Sequence, residues 1–503
     1  MSTESPLDPN QSNPKLLRIL RRGFSFPVML AGLLALLAVL TVRSRFDNSD
    51  LWWHLRMGQI ICATHAIPLS DVFSYTTNHQ PLVPQEWLSE VTIFAAWRWA
   101  GLSGLMLWLC FFTGALLVAG YALCSLYSGN VKVAFAGALA IWFFASVGYA
   151  VRPQMIGYLL LVAELVLIHL GRTRNPRWFL CLPLLFALWI NCHGSFLLGI
   201  VVAGVFLFSS FFSFEMGSLL ARRWEPRCRR MLMLAMILSL AALFLNPAGA
   251  RQIFYPIDTM LNQRIQMANV QEWMPLKMSS AGGIALMGVL LGSFLLAVVR
   301  RSELFFDELL LLAIGTWLAV SHMRMLIVFG ILATPVLTRQ LSTCWQDYRA
   351  DEDRIWPNAL MIALSLLAAW MAFPDAHNLQ AQVEARNPVN AVEFIRASHL
   401  SGPMLNDYPL GGYLIWAAPE YPVFVDGRGD VFEWTGVLGE FERWAMLQSD
   451  PHELLEKYKI SFCLLTRESP MAHVLPLMPE WKMVYSDNNS VVFVRAAANR
   501  PAP

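Results

Sequence analysis

Apolar residues do not stripe this chain at helical or strand periods; they gather in long blocks that recur from Phe24 to Phe373. Each block runs for about 16–22 residues, the length that crosses a hydrocarbon core as a helix. The pattern predicts about eleven transmembrane helices, at 24–43, 103–126, 131–149, 154–171, 178–191, 195–214, 231–245, 283–299, 307–321, 323–339 and 358–373. The first follows a polar head carrying Lys15, Arg18, Arg21 and Arg22. It is too long for a removable signal and lacks a small-residue cleavage site, so it reads as a retained span. Beyond Phe373 the blocks give way to short apolar runs. These predict a helix over 387–399, a strand over 403–406, a Gly-Gly turn at 411–412 and a strand over 422–425. Helices over 434–447 and 451–457 follow, then strands over 460–465, 481–485 and 490–495. Helices alternating with short strands make a small α/β domain. The expected fold is an all-α polytopic membrane module at 24–373, between a tail at 1–23 and an α/β domain at 374–503.

Composition removes the alternatives. Only 14% of the residues are charged and 56% are hydrophobic, against about 25% charged in soluble domains. A soluble globular protein, a disordered chain and a secreted disulfide scaffold are excluded. The 37 basic and 35 acidic residues leave a net charge of +2, which gives no reason to expect nucleic acid as a partner. The eight cysteines show no C-x-x-C and no Cys/His cluster at metal spacing, so no metal site is expected. The distribution of charge says more than its sum. Segments 1–23, 127–132, 171–177, 221–230, 300–306 and 339–357 hold about 18 Lys and Arg in about 70 positions, which places them in the cytoplasm. The N-terminus is then inside. With an odd number of spans, the domain after Phe373 is extracytoplasmic.

Two outer segments, 44–102 and 246–282, are too long to be simple turns. The first carries Asp47, Asp50, His54, Arg56, Asp71, Glu86 and Glu90, and the second Asn246, Arg251, Tyr255 and Glu272. Short outer turns add Arg152 and Gln154, then Asn191 and His193, then His322 and Arg324. The spans themselves are nearly free of ionisable groups, Glu164 being the main exception. Intramembrane charges mark ion and proton paths, so a proton-coupled transporter is the weaker reading. The groups able to do chemistry face outward, at the membrane surface.

Directly after the first span stands Asp47-Asn-Ser-Asp50-Leu-Trp52-Trp53-His54-Leu-Arg56-Met-Gly58. As a helix it puts Asp47, Asp50 and His54 at i, i+3 and i+7, on one face, with Trp53 next to it. A carboxylate one turn from a histidine suits a general base; an interfacial anchor with wet tryptophans is the structural alternative. Residues 86–99 read as an amphipathic helix able to lie in the membrane plane. Glu86 and Glu90 repel across one turn unless a cation sits near, although Glu90 reads as readily as a solvated helix-start acid. Arg152, Asn191, His193, His322 and Arg324 each suit a snorkelling or helix-ending role; together they could line a pocket for a phosphate or sugar. Asn246-Pro247-Ala-Gly249 suggests a turn that positions Arg251. Asp426-Gly-Arg428-Gly-Asp430 in the tail reads as a turn, with too few acids for calcium.

Through these motifs the chain resembles bacterial integral-membrane glycosyltransferases of the GT-C class, which take sugars from polyprenyl-phosphate donors. The resemblance is to a branch with D-L-W-W-H-L-R-x-G after the first span, here Asp50–Gly58. It extends through Ile67–Thr76, Glu86–Glu90, Arg152–Gln154, Asn191–Gly194, Asn246–Gly249 and Glu272-Trp273 to Gly411-Gly412-Tyr413 and Val425–Arg428. It implies a GT-C-like fold and an activity like that of the dolichyl-phosphate-mannose mannosyltransferases. An aspartate soon after the first span would deprotonate the acceptor hydroxyl, which attacks the anomeric carbon with inversion as the lipid phosphate leaves. That role falls on Asp50, with Asp47 the second choice, and His54 orients Asp50 or meets the acceptor. Arg152, His193 and Arg324 become phosphate ligands, a task that suits arginine's planar fork. Glu86 and Asp71 hold sugar hydroxyls or shape the loop. Trp53, Arg56, Gln154, Asn191, Arg251, Tyr255, Glu272 and His322 complete the expected substrate-binding set. The scheme needs no metal or cofactor. The implied partners are a polyprenyl-phosphate sugar, membrane lipids and an envelope glycan, lipid or protein acceptor, at the inner membrane. Two rivals are a lipid-linked-sugar flippase or transporter and a non-catalytic scaffold of the same fold.

Overall fold

The computed structural model describes residues 20–46, 48–77, 79–263, 265 and 271–496. Asp47 lies outside them, as do Lys15 and Arg18. A helix stands in each apolar block. After α1 (Phe26–Val42) the first loop forms α2 (Leu51–Thr64), and α3 (Trp87–Ser128) joins the loop's second helix to a span. The join is a kink at Ala100 and Gly101, where glycine takes φ +58°. Next come α4 (Val131–Phe144), α5 (Gln154–Thr173), α6 (Leu182–Cys192), α7 (Phe196–Ser209) and α8 (Pro226–Ala242). The second loop contributes α9 (Ala250–Asn262) before α10 (Ala281–Val299), α11 (Phe306–Ser321), α12 (Leu326–Leu341) and α13 (Ile355–Ala372). Among the described residues, five helices are long and apolar enough to cross a membrane: α3, α5, α10, α13 and the stretch Met323–Cys344 around α12. Four shorter apolar helices accompany them.

The two ends of the bundle differ in kind. At one end three arginines of the Arg-rich segments meet acids: Arg172 with Asp307 at 2.9 Å, Arg222 with Glu303 at 3.0 Å and Arg339 Nε with Glu308 at 2.7 Å. A small sheet of β1 (Phe214–Met216), β2 (Leu219–Ala221) and β3 (Leu304–Phe305) lies at this end. Parts of the segments 171–177, 221–230, 300–306 and 339–357 thus lie together at this end. At the other end stand the two loops and the C-terminal region.

That region holds helices α14 (Ala376–Glu384), α15 (Val389–Ala397), α16 (Tyr408–Ala417), α17 (Gly429–Thr435), α18 (Val437–Ala445), α19 (Pro451–Lys457) and α20 (Pro470–Val474). They surround a mixed sheet in the order β4 (Met404–Asn406), β5 (Phe462–Thr466), β7 (Ser490–Arg495), β6 (Trp481–Ser486). Only β4 and β5 run parallel. Three expectations fail here. Gly411-Gly412 is no turn but the middle of α16, where a Cβ would come within 2.2 Å of the Val425 and Ser49 carbonyls. The glycines serve close packing rather than a reversal. The expected strand 422–425 joins no sheet. Val423 bridges Ser74 of the first loop instead, and the Asn406 side chain satisfies Phe424 N and Val425 O. The expected helix 434–447 is two helices, broken at Gly436, whose φ of +79° ends α17.

The C-terminal region does not keep its core to itself. Leu410, Leu414, Ile415 and Val423 pack with Met57, Ile61 and Phe73 of the first loop. Trp52 meets Tyr413 edge-on at 5.1 Å, and Trp97 meets Trp416 at 5.2 Å. Burial of large aromatic faces is the strongest general source of such cohesion. It fixes the tail over the start of α2, where the site lies.

Candidate active site

A cavity of about 230 Å³ opens where the start of α2, the start of α3, the turn before α5, the 192–195 turn, the 272–273 segment and the α11–α12 turn converge. Asp50 stands at the head of α2, its backbone oxygen accepting His54 N. Its carboxylate Oδ2 meets Arg152 Nη2 at 2.7 Å. Arg152 reaches further, to both oxygens of Glu272 at 2.9 and 3.0 Å. One guanidinium thus bridges two loops. Burial pulls its pKa down, but the Asp50 and Glu272 charges overcome that and raise it. Its Nε, like Trp53 Nε1, is buried without a hydrogen-bond partner, and both residues line the cavity.

Beside this pair runs a second chain of groups. Trp87 Nε1 donates to Asn191 Oδ1 and Ser89 Oγ to Cys192 O, each at 2.7 Å, so the start of α3 is stapled to the end of α6. The staple brings Glu86 between two histidines. Glu86 Oε1 lies 3.5 Å from His193 Nε2, and Oε2 lies 3.9 Å from His54 Nε2. His54 Nδ1 faces Glu90 Oε1 at 3.1 Å. Ser195 N donates to His193 Nδ1, which leaves the neutral ring's proton on Nε2, toward Glu86. Burial, then the nearby Arg324 charge, pushes His193 down to about 3. Burial, then Arg152 and His193, holds His54 well below its usual range. Glu86 moves the other way: burial, outweighing the pull of Arg324, pushes it up to about 8. The cavity therefore offers a protonated carboxyl and two neutral imidazoles at neutral pH.

Arg324 supplies the positive charge. Its Nη2 donates to Gln154 Oε1 at 3.2 Å and its guanidinium sits 4.4 Å from the Trp273 ring. Among the described residues no carboxylate lies within ion-pairing distance of it. Trp273 is in turn held by His322, whose Nδ1 is 2.8 Å from the Trp273 carbonyl. The wall is completed from the C-terminal region by Tyr408 and Gly427. A Cβ on Gly427 would come within 2.2 Å of Asp50 Oδ1, so only glycine allows this approach.

The structure gathers Asp50, Trp53, His54, Glu86, Arg152, Gln154, His193, Glu272 and Arg324 around one cavity. Other candidates stand elsewhere. Asn191 is the staple described above, and its Nδ2 donates to Ala187 O and Leu245 O. Asp71 is fully buried in a pairing with Arg428. Arg56 donates to Gln59 on its own helix, Arg251 is exposed on α9, and Tyr255 packs edge-on against Trp434 at 5.8 Å. Sequence reasoning missed Ser49, Pro153, Trp273, Tyr408 and Gly427. The motifs Arg152–Gln154, Glu272-Trp273 and Val425–Arg428 did contain Pro153, Trp273 and Gly427, whereas nothing around Tyr408 set it apart. It also missed that Glu90 is buried against His54 rather than solvated. Among the described residues no group of His, Cys, Asp or Glu is disposed to hold a metal ion.

No protein-family model matches the chain, and no curated protein matches it in sequence. Solved structures do match. The Archaeoglobus fulgidus oligosaccharyltransferase AglB, with an inhibitory peptide and a dolichol-phosphate, aligns over 93% of this chain and 75% of its own at 10% identity, TM-score 0.53. ArnT from Cupriavidus metallidurans bound to undecaprenyl phosphate aligns over 98% and 100%, at 12% identity and TM-score 0.52. The mycobacterial arabinofuranosyltransferase AftD aligns over 97% of this chain but 42% of its own, at 14% identity and TM-score 0.50. The fold is that of the GT-C glycosyltransferases. At such identities likeness carries the fold alone. The chemistry of this chain has to be read from its own cavity.

Proposed function

We propose that the protein is a membrane glycosyltransferase that moves a sugar from a polyprenyl-phosphate donor to an extracytoplasmic acceptor, with inversion. The observation that carries this reading is the convergence, in one cavity of a GT-C fold, of an aspartate and two arginines, of which Arg324 has no acid partner among the described residues. Arg324 takes the donor phosphate, helped by the N–H groups of Arg152 and Trp53 that have no partner. Fixed donors of this kind stabilise the charge that grows on the leaving phosphate. Asp50, held by Arg152, accepts the proton of the acceptor hydroxyl. That oxygen then bonds to the anomeric carbon as the bond to the lipid phosphate breaks, releasing polyprenyl phosphate. His54 and His193 stay neutral and, with protonated Glu86, hydrogen-bond sugar hydroxyls. The bilayer holds the donor's tail, and the polar end of the bundle, with the C-terminal region over it, faces the periplasm.

A positioned base contributes about 10²–10⁴-fold. Asp50→Asn in lipid nanodiscs should therefore lower release of polyprenyl phosphate from a panel of radiolabelled donors by about that factor, while donor binding persists. Equal release by both proteins removes Asp50 from the chemistry. Binding without release by either points to a flippase, and failure to bind any donor to a scaffold.

A further inference from the structure

At the end of the bundle away from the cavity, α10 and α12 part to leave an apolar groove of about 620 Å³. Gly288 and Gly292 lie along it, Leu296, Leu337 and Leu341 flank it, and Arg300 stands at its end. The space is open rather than tightly packed. A Cβ at Gly288 would meet nothing within 4 Å, and one at Gly292 only Leu337 Cδ1, at 4.0 Å. Buried Ser293 donates to Gln340 Oε1 at 2.7 Å, which pins the two helices together at this level. From Ala285 to Val299 the groove follows α10 for about 21 Å at about 1.5 Å per residue, more than the ~15 Å depth of one leaflet.

The arginine at its end differs from three others on the same face. Arg172, Arg222 and Arg339 on the same face each have a carboxylate within 3.0 Å. Among the described residues Arg300 has none. Its side-chain contact is Cys344, with Nη2 3.7 Å from Sγ. A long apolar channel that ends on an unpaired guanidinium at a membrane face matches one chemistry: a hydrocarbon chain carrying a phosphate. A guanidinium binds phosphate through paired hydrogen bonds, and the chain gains by leaving its neighbours for a fitted wall. The tail of a donor whose phosphate sits in the cavity at the opposite end would fill the groove and leave Arg300 without a partner.

We propose that this groove binds an anionic phospholipid, one acyl chain along Gly288 and Gly292 and the headgroup phosphate on Arg300. The inference does not depend on the glycosyl-transfer reading, and its readout is lipid retention. Full-length protein in detergent is offered equal amounts of phosphatidylglycerol and phosphatidylcholine of the same chains, and bound lipid is read by native mass spectrometry. Wild type should retain phosphatidylglycerol about tenfold over phosphatidylcholine, a difference of about 1.4 kcal/mol. Arg300→Gln should bring that ratio close to one. Gly288→Leu with Gly292→Leu, which enter open space and favour the helix, should lower retention of both lipids. Equal retention by wild type, or a ratio unchanged in Arg300→Gln, overturns the proposal. So does a double variant that loses added polyprenyl phosphate but keeps phosphatidylglycerol, since the groove would then belong to a donor tail.

Discussion

Two arginines in this molecule each hold two carboxylates, and they do different things. Arg152 lies between Asp50 and Glu272, and Arg428 between Asp71 and Asp426. The side chains of the first set are 18, 22 and 36% exposed; those of the second are 3, 0 and 0% exposed. The closed set is also saturated. Ser74 and Thr77 hydroxyls donate to Asp71, and the Phe73 ring flanks the guanidinium at 4.9 Å. Burial works against the Asp71 charge, but Arg428 and the two hydroxyls outweigh it and hold the acid at about 2. The open set leaves Arg152 Nε without a partner beside a cavity. A closed, satisfied ion set works as a joint, here between the first loop and the C-terminal region. An open one can exchange a protein oxygen for a ligand's.

The sharpest way to break this comparison is to remove each arginine. Arg428→Gln leaves two acids facing each other out of water, and losing one partner of a buried ion set costs about 3–5 kcal/mol. The purified protein should melt at a markedly lower temperature. Arg152→Gln leaves acids within reach of solvent and should cost about 1 kcal/mol, while turnover falls far more than in any variant of the joint that still folds. Equal losses of stability in the two variants would erase the distinction between joint and site.

The same contrast shows what could be read from the sequence. Every span block became a helix because a run of apolar residues of that length has few other stable forms in a bilayer. The outer-face residues were legible as a group, since charge is sparse elsewhere and Asp50, Arg152, His193 and Arg324 stood out against apolar surroundings. Their pairings were not. Asp71 and Asp426 are 355 residues apart, and neither motif alone shows that both grip Arg428. Glu90 looked like an ordinary helix-start acid because nothing local reveals that His54 of another helix covers it. Arg251 and Tyr255 looked like site residues because their loop does reach the polar end, but α9 turns Tyr255 toward Trp434.

A second, smaller test concerns Arg324, which has no acid partner among the described residues. If Arg324 is the donor's phosphate ligand, Arg324→Gln removes a charged hydrogen bond worth about 1.5–3 kcal/mol. Donor affinity in nanodiscs should fall by about 10- to 150-fold, with little change in melting temperature because no carboxylate loses its partner. A binding curve identical to wild type would put the phosphate elsewhere, and the open Arg152 set would be the next candidate.

The last test concerns the state of the cavity. Glu86 is raised from an ordinary 4.5 to about 8, by burial first and against the pull of Arg324, with Asp430 and Asp50 adding to the rise and Arg152 opposing it. Between those two values the folded chain keeps a proton that the unfolded chain releases, so stability falls as pH rises. The contribution is fully present below about pH 4.5 and is lost as pH climbs through about 8. The slope is at most about 1.4 kcal/mol per pH unit. Glu86→Gln carries no such proton, so its melting temperature should gain on wild type from pH 5 to 8 and then run parallel to it. Donor binding adds a second readout. Above pH 8 wild type acquires a carboxylate facing the two neutral histidines and should bind the anionic donor more weakly, whereas Glu86→Gln should not. Parallel melting curves from pH 5 to 9 would mean that Glu86 is already ionised, and the cavity would then hold its sugar with an acceptor where this geometry provides a donor.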